Sequence, residues 1–406
     1  MELRLAEIGE ILKTAPSAEA HRRASGYSID SRTVRPGELF FAVRGARLDG
    51  HDFVLPALAA GAVAAVVAAT RLADFPAAVQ PKLIAVPEAL TALQELAAAV
   101  RQRWGGPLVA VTGSAGKTTT KQMLATLLGT RFRVLANEGN LNNQFGLPLS
   151  LLRLTPETEV GVFELAMSGP GEIRRLAALA APDVGVVTNV GPVHLEFFPD
   201  VEAIAGAKYE LIESLGERAW AVLNADDPRV RSFGERLGCR VLYFGVSAAA
   251  HFRAVGLEQN GSGGFRFALP SSPFRSLPPG CAWKGSRVLP DQPGVEPGAT
   301  QFHLPLLGRH NVQNLLAALA GCYALGILPA ALQEAVERLQ PPSLRGEQVR
   351  LANGALVVND CYNSNPEALE AMLGAVAALP GRRHIAVLGG MLELGPSAES
   401  LHRQGL

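Results

Sequence analysis

The sequence predicts an α/β protein organised around a parallel sheet, with a phosphate-binding loop near the start of its largest part. Two observations carry this. Short apolar runs that end on glycine or a polar residue alternate with segments of helical period along most of the chain, the pattern of parallel strands covered on both faces. One such run, LVAVT at 108–112, leads directly into a glycine-rich turn and then a helix, which is how a chain builds an anion cradle. With 406 residues, the length suggests roughly two or three domains. Hydrophobic residues make up 48% and charged residues 18%: enough apolar material for several cores, and too little charge for a disordered chain.

Taken in order, ELFFAV at 38–43 and KLIAVP at 82–87 read as strands, separated by the polar loop RGARLDGHDF at 44–53. The Ala-rich run at 60–70 reads as a buried strand or helix. ALTALQELAAAVRQRW at 89–104 has apolar residues at three- and four-residue intervals, hence a helix. After LVAVT and its helix TTTKQMLATLLGT, the buried-strand candidates are EVGVFEL at 159–165, DVGVVTNV at 183–190, AWAVLN at 219–224 and RVLYFG at 240–245. Residues 269–298, dense in Pro, Gly and Ser, read as an irregular surface excursion rather than a functional lid. A helix is expected at 311–326. Pro341 and Pro342 lie near a boundary, beyond which strands are expected at 355–360 and 384–390. The predicted domains are 1–88, 89–335 and 336–406, the last with fewer strands than a doubly wound sheet needs and so incomplete.

Lys+Arg and Asp+Glu balance at 37 each, which argues against a nucleic-acid partner. Cys239, Cys281, Cys322 and Cys361 lie far apart with no CxxC spacing, so free thiols are expected rather than a disulfide framework or a zinc site. The N-terminus lacks a basic segment followed by an apolar run, and no apolar stretch approaches the roughly 20 residues of a membrane span. The expectation is a cytoplasmic protein.

The chemistry centres on Thr112-Gly113-Ser114-Ala115-Gly116-Lys117-Thr118-Thr119. Glycines let backbone N–H groups curl around phosphate oxygens, and the helix start adds partial positive charge. Lys117 can reach the terminal phosphates, and the Thr118 hydroxyl suits Mg²⁺. Position 111 is Val, so the spacing is GxxGKT rather than GxxxxGK[ST].

This form resembles the Mur ligase family, which also includes folylpolyglutamate synthases. FELAMSGPGEI, NVGPVHLEFF and AIAGAKYELIE match family segments in the family order. The resemblance implies that Glu164, His194 and a carbamylated Lys208 hold magnesium beside ATP. Gly113, Ser114, Ala115, Gly116, Lys117, Thr118 and Thr119 would wrap the phosphates. Asn314 in GRHNVQNLLAALA would meet adenine, or be a helix cap. Arg345 in SLRGE and Asp360 in VVNDCYNSNP would reach phosphate and ribose, or, for Arg345, form a surface ion pair. IDSRTVRPGELFFAVRGARLDGHDF at 29–53 resembles the family's UDP-binding module, implicating Ser31, Arg32, Arg47, Asp49, His51 and Phe53. His51 could equally serve a loop hydrogen bond. Asn142 and Asn143 match a loop between the ATP and sugar-peptide sites, or are turn residues.

Within the family, FELAMSGPGEI, DCYNSNPEAL and VLGGMLELG resemble the member that adds D-alanyl-D-alanine to UDP-N-acetylmuramoyl-tripeptide, with Tyr362, Asn363 and Asn365 among the substrate-binding residues. The family reads Asp where Gly390 stands here. The tripeptide-forming member, expected to carry a DNPR-like motif, is the alternative. A phosphate-loop nucleotidase is a second rival, and it leaves 29–53 unexplained. The implied architecture has three domains: a small α/β UDP-binding domain, a central P-loop ATPase-like sheet and a Rossmann-like C-terminal domain that binds the amine and closes over ATP. A monomer is expected. The third residue of the acceptor peptide, meso-diaminopimelate or lysine, is open.

Overall fold

The computed structural model describes residues 1–14, 19–270 and 298–404; most of the Pro/Gly-rich stretch, 271–297, and Cys281 lie outside them. The described residues fall into two compact units. The first comprises Met1–Gly106, Asn137–Glu159 and Ala178–Ala180; the second holds the rest.

In the first unit, strands Gly26–Ser28, Glu38–Phe41, Ala64–Ala68 and Leu83–Val86 form a four-stranded sheet in that order, all parallel. The Ala-rich run is thus a strand, and it lies in the core. Its small side chains let neighbours pack close on both faces, as continuous apolar runs do in parallel sheets. The helix Ala89–Trp104 starts where Glu88 accepts from the N–H groups of Leu90 and Thr91, and stops at Gly105 in the left-handed region. Its apolar stripe, including Leu93, Leu96 and Val100, is buried within this same unit.

The second unit is built on a seven-stranded, wholly parallel sheet. Its order is Phe252–Arg253, Arg240–Gly245, Trp220–Asn224, Val184–Val187, Leu108–Thr112, Val160–Glu164, Val134–Ala136. The chain builds outward from 108–112 in one direction, then crosses back over it to build the other half. That reversal opens a crevice beyond the carboxyl ends of the central strands, the usual ligand position in such sheets. Two helices pack together in this unit's core, Lys117–Leu128 and Arg309–Ala324. The second is buried on nearly every side, as its Ala/Leu-rich sequence requires. At Gly321 an added Cβ would stand 2.7 Å from the Leu124 side chain, so glycine permits the close approach.

Two features depart from the sequence reading. An antiparallel sheet, Val255–Gln259, Phe265–Pro270 and Ala299–Leu304, was not expected. The anticipated strand at 384–390 does not form. Leu356–Asn359 pairs antiparallel with Glu347–Arg350 instead, and 384–390 has no strand pairing, with Ile385 70% and Val387 94% exposed. An apolar run becomes a strand only beside a hydrogen-bonding neighbour. Among the described residues, Cys239, Cys322 and Cys361 form no disulfide, and no single helix is long and apolar enough to cross a membrane.

Candidate active site

The crevice of the second unit gathers the glycine-rich loop with residues from four other segments. The loop's backbone is held from the neighbouring strand end. Ser114 donates its N–H to the Asn189 carbonyl at 3.0 Å, and Ala115 N–H donates to Asn189 Oδ1 at 2.8 Å. Thr188 Oγ1 donates to the Ala115 carbonyl at 2.6 Å. The Ser114 hydroxyl donates to the Gly191 carbonyl at 3.1 Å and accepts the Gly191 N–H at 2.8 Å. Gly116 has φ +79°, a conformation costly for any residue with a Cβ. A Cβ there would also lie 2.3 Å from Asn314 Oδ1.

The Lys117 ammonium donates to the carbonyls of Gly113 at 2.8 Å and Ser114 at 3.1 Å. Burial, aided by the positive charge of Arg345, lowers its pKa against the pull of Glu164. Thr118 Oγ1 donates to Glu164 Oε2 at 2.8 Å, and Glu164 ends a fully buried strand. Lys208 is 2% exposed. Burial, reinforced by Lys117, holds its pKa well below the ordinary lysine value. His194 Nδ1 meets Glu393; burial and the charges of Lys117 and Lys208 lower its pKa, while Glu393 opposes them. The expected group is therefore one electrostatic cluster.

Arg345 also belongs to it. Its guanidinium stacks over Tyr362, 4.4 Å from the ring centroid, and its Nε is buried without a hydrogen-bond partner. Such an orphaned donor, within electrostatic reach of Lys117, fits an anion. Burial raises the pKa of Asp360, opposed by Arg345 and the Gly346 N–H. Asn314 is engaged at both ends: Oδ1 accepts from Thr120 at 3.3 Å and Nδ2 donates to Asn311 at 2.9 Å. Thr119 is buried within the helix that leaves the loop. Tyr362 and Asn363 are exposed, and Asn365 caps the helix Pro366–Ala377 by accepting the Ala368 N–H at 2.9 Å.

The remaining expected residues lie in the first unit. His51 Nε2 accepts the Ala68 N–H at 2.9 Å, so its Nδ1–H donates to Asp49 at 2.6 Å; both ring nitrogens are committed to the protein. Asp49 also takes Arg71 at 2.9 Å. Arg32 is exposed and paired with Asp30, Arg47 is exposed, and Ser31 and Phe53 are half-buried. Asn143 Oδ1 accepts the N–H groups of Phe145 and Gly146 at 3.1 and 3.0 Å. Asn142 donates its N–H to the Asn140 carbonyl at 2.8 Å.

Among the described residues no three His, Cys, Asp or Glu side chains converge as a metal-holding set. Thr118 and Glu164 supply two hard oxygen donors side by side, which fits Mg²⁺. Lys208 as an amine does not fit a metal. Sequence reasoning passed over Thr188 and Glu393. Thr188 lies in the strand candidate 183–190 with no chemical signal of its own, and Glu393 lies in the VLGGMLELG segment but 199 residues from its partner.

Three family patterns cover most of the chain: the Mur ligase middle domain over 111–322, the Mur ligase glutamate ligase domain over 344–405, and the Mur ligase family catalytic domain over 23–101. The chain is 34% identical over 380 residues to the UDP-N-acetylmuramoyl-tripeptide--D-alanyl-D-alanine ligase of Bacillus subtilis, covering 93% of this chain and 76% of the relative. It is 35% identical over 379 residues to the Escherichia coli enzyme of that name, covering 93% and 77%. Its fold is similar to MurF from Acinetobacter baumannii, with TM-score 0.86, 27% identity, and 100% and 83% coverage. It also matches the MurF ligase of Thermotoga maritima solved with ADP, with TM-score 0.78, 30% identity, and 94% and 81% coverage. With a loop, strand ends and buried lysine arranged as described, and with matches along nearly its whole length, this chain belongs to the Mur ligase family.

Proposed function

We propose that the chain ligates D-alanyl-D-alanine to UDP-N-acetylmuramoyl-tripeptide at the expense of ATP, in peptidoglycan synthesis. The carrying observation is the cluster at the crevice: a glycine-rich loop, Lys117 and Arg345 with its orphaned buried Nε, all suited to a triphosphate. A carboxylate is a poor acylating group, so the tripeptide's terminal carboxylate oxygen attacks the γ-phosphorus and ADP leaves. Lys117 and Arg345 stabilise the charge that develops on the phosphoryl oxygens. The free amine of the dipeptide then attacks the acyl carbon of the acyl phosphate. Phosphate departs, the amine proton is lost, and the amide remains. Exclusion of water protects the acyl phosphate from hydrolysis.

Thr118 and Glu164 would hold Mg²⁺, which neutralises phosphate charge when bound. For Lys208, a lowered pKa means a larger fraction of neutral amine, the form that adds CO₂. The product is a carbamate anion plus a proton. It replaces a buried cation with an oxygen ligand, beside His194. We assign nucleotide contacts to Gly113–Thr119, Asn314 and Asp360, and substrate contacts to Ser31, Arg32, Arg47, Asp49, His51, Phe53, Asn142, Asn143, Tyr362, Asn363 and Asn365. The domain division is 1–88, 89–335 and 336–406. The protein acts as a monomer in the cytoplasm, where its thiols stay reduced.

Labelling the tripeptide carboxylate with ¹⁸O tests the route. One labelled oxygen should appear in the released phosphate. Unlabelled phosphate accompanying amide formation would rule out the acyl phosphate.

A further inference from the structure

We propose that Glu393 is a positioning residue for His194, fixing the imidazole in the tautomer that carries its proton on Nδ1 and leaves Nε2 as the acceptor. The inference rests on the reading that His194 serves the reacting site, and it gives a role to Glu393, which lies in the VLGGMLELG segment.

The contact is built from both sides. Five non-glycine residues among those described have positive φ, and two of them are these partners: His194 at +57° and Glu393 at +61°. Non-glycine residues pay for that conformation, so it persists only where the surroundings impose it. On one side, the His194 carbonyl accepts the N–H groups of Phe197 at 2.9 Å and Phe198 at 3.2 Å, which closes the turn. On the other, Met391 and Leu394 are 6% and 2% exposed and anchor the segment. The Met391 N–H donates to His402 Nε2 at 2.8 Å, and His402 Nδ1 then donates to the Ala398 carbonyl at 2.7 Å. Backbone joins the two: Glu196 N–H donates to the Glu393 carbonyl at 3.3 Å, and a Cβ on Gly395 would stand 2.9 Å from the Leu195 carbonyl oxygen.

A carboxylate can only accept, so the nitrogen facing it must carry the hydrogen. Holding Nδ1–H this way settles which ring nitrogen keeps its lone pair and how the ring is turned, the service that carboxylates commonly give to functional histidines.

The test uses the full chain, free of nucleotide and metal, with ¹⁵N-labelled histidine and two-bond ¹⁵N–¹H correlation spectra. His194 in the wild type should report Nδ1–H. Glu393→Ala should lose that preference, and Glu393→Gln, whose Oε1 still accepts, should restore it. In ligation assays the alanine variant should lose kcat by roughly 10- to 100-fold with KM for the UDP-sugar unchanged, and the glutamine variant should recover most of it. A wild-type Nε2–H tautomer overturns the proposal. So does an alanine variant that keeps the wild-type tautomer, or one that loses it with kcat intact. If the tautomer responds as stated while the wild type makes no amide, the ligase reading fails and the positioning of His194 stands.

Discussion

Lys208 is a buried amine whose pKa is lowered by burial and further by the charge of a second lysine, Lys117, and among the described residues it has no hydrogen-bond or ion-pair partner. Burial of an ammonium in that setting is expensive, which favours the neutral amine and hence the carbamate. Lys208→Ala should therefore lose most of its kcat, with partial recovery on adding short carboxylic acids that mimic the lost carbamate. Full activity in the alanine variant would remove Lys208 from the reaction. Lys117→Ala should abolish turnover while leaving the thermal midpoint within a few degrees; ATP consumption at the wild-type rate would contradict the role given to Lys117. The P-loop residues were legible because their chemistry is local in sequence: a strand, two glycines, a lysine and a hydroxyl in succession. Asn314 was legible as a site residue, but its engagement by Thr120, 194 residues away, was not, since tertiary partners leave no local trace. The same holds for Asp49, which takes Arg71 22 residues further along the chain.

The helices 117–128 and 309–324 meet where Leu124 lies against Gly321, and that contact sets how the phosphate loop's helix rests on the core. Leu124 is fully buried, so Leu124→Ala should destabilise the second unit by about 2–5 kcal/mol, measured as a lower midpoint in urea. An unchanged midpoint would mean the site collapses to fill the cavity. At this scale the parallel strands were legible, because a strand buried on both faces is a short apolar run whatever its neighbours. The 255–259, 265–270 and 299–304 sheet was harder. Phe265–Pro270 does alternate in burial, but its partner 299–304 follows the Pro/Gly-rich stretch, so the pairing is distant in sequence. The run at 384–390 misled for the converse reason: its composition suits a strand, but strand formation depends on a neighbour that composition does not supply.

For the molecule as a whole, acid sensitivity follows from His310. Burial lowers its pKa from the ordinary 6.5 to about 4, and its Nδ1 has no hydrogen-bond partner. The unfolded chain therefore takes up a proton near pH 6.5 that the folded chain refuses until about pH 4. Stability is full above pH 6.5 and falls as pH drops toward 4, by up to about 3 kcal/mol from this group. His310→Gln should flatten that part of the urea-midpoint profile; an identical profile would show that other groups dominate. Function was legible at this scale because motifs in all three regions agree, from the 29–53 loop through the phosphate loop to DCYNSNPEAL. The most direct measurement is mass spectrometry of the product after incubating the chain with UDP-N-acetylmuramoyl-tripeptide, ATP and D-alanyl-D-alanine. UDP-N-acetylmuramoyl-pentapeptide formed only when ATP is present is the predicted result; ADP accumulating without the UDP-sugar and with no amide product would contradict it.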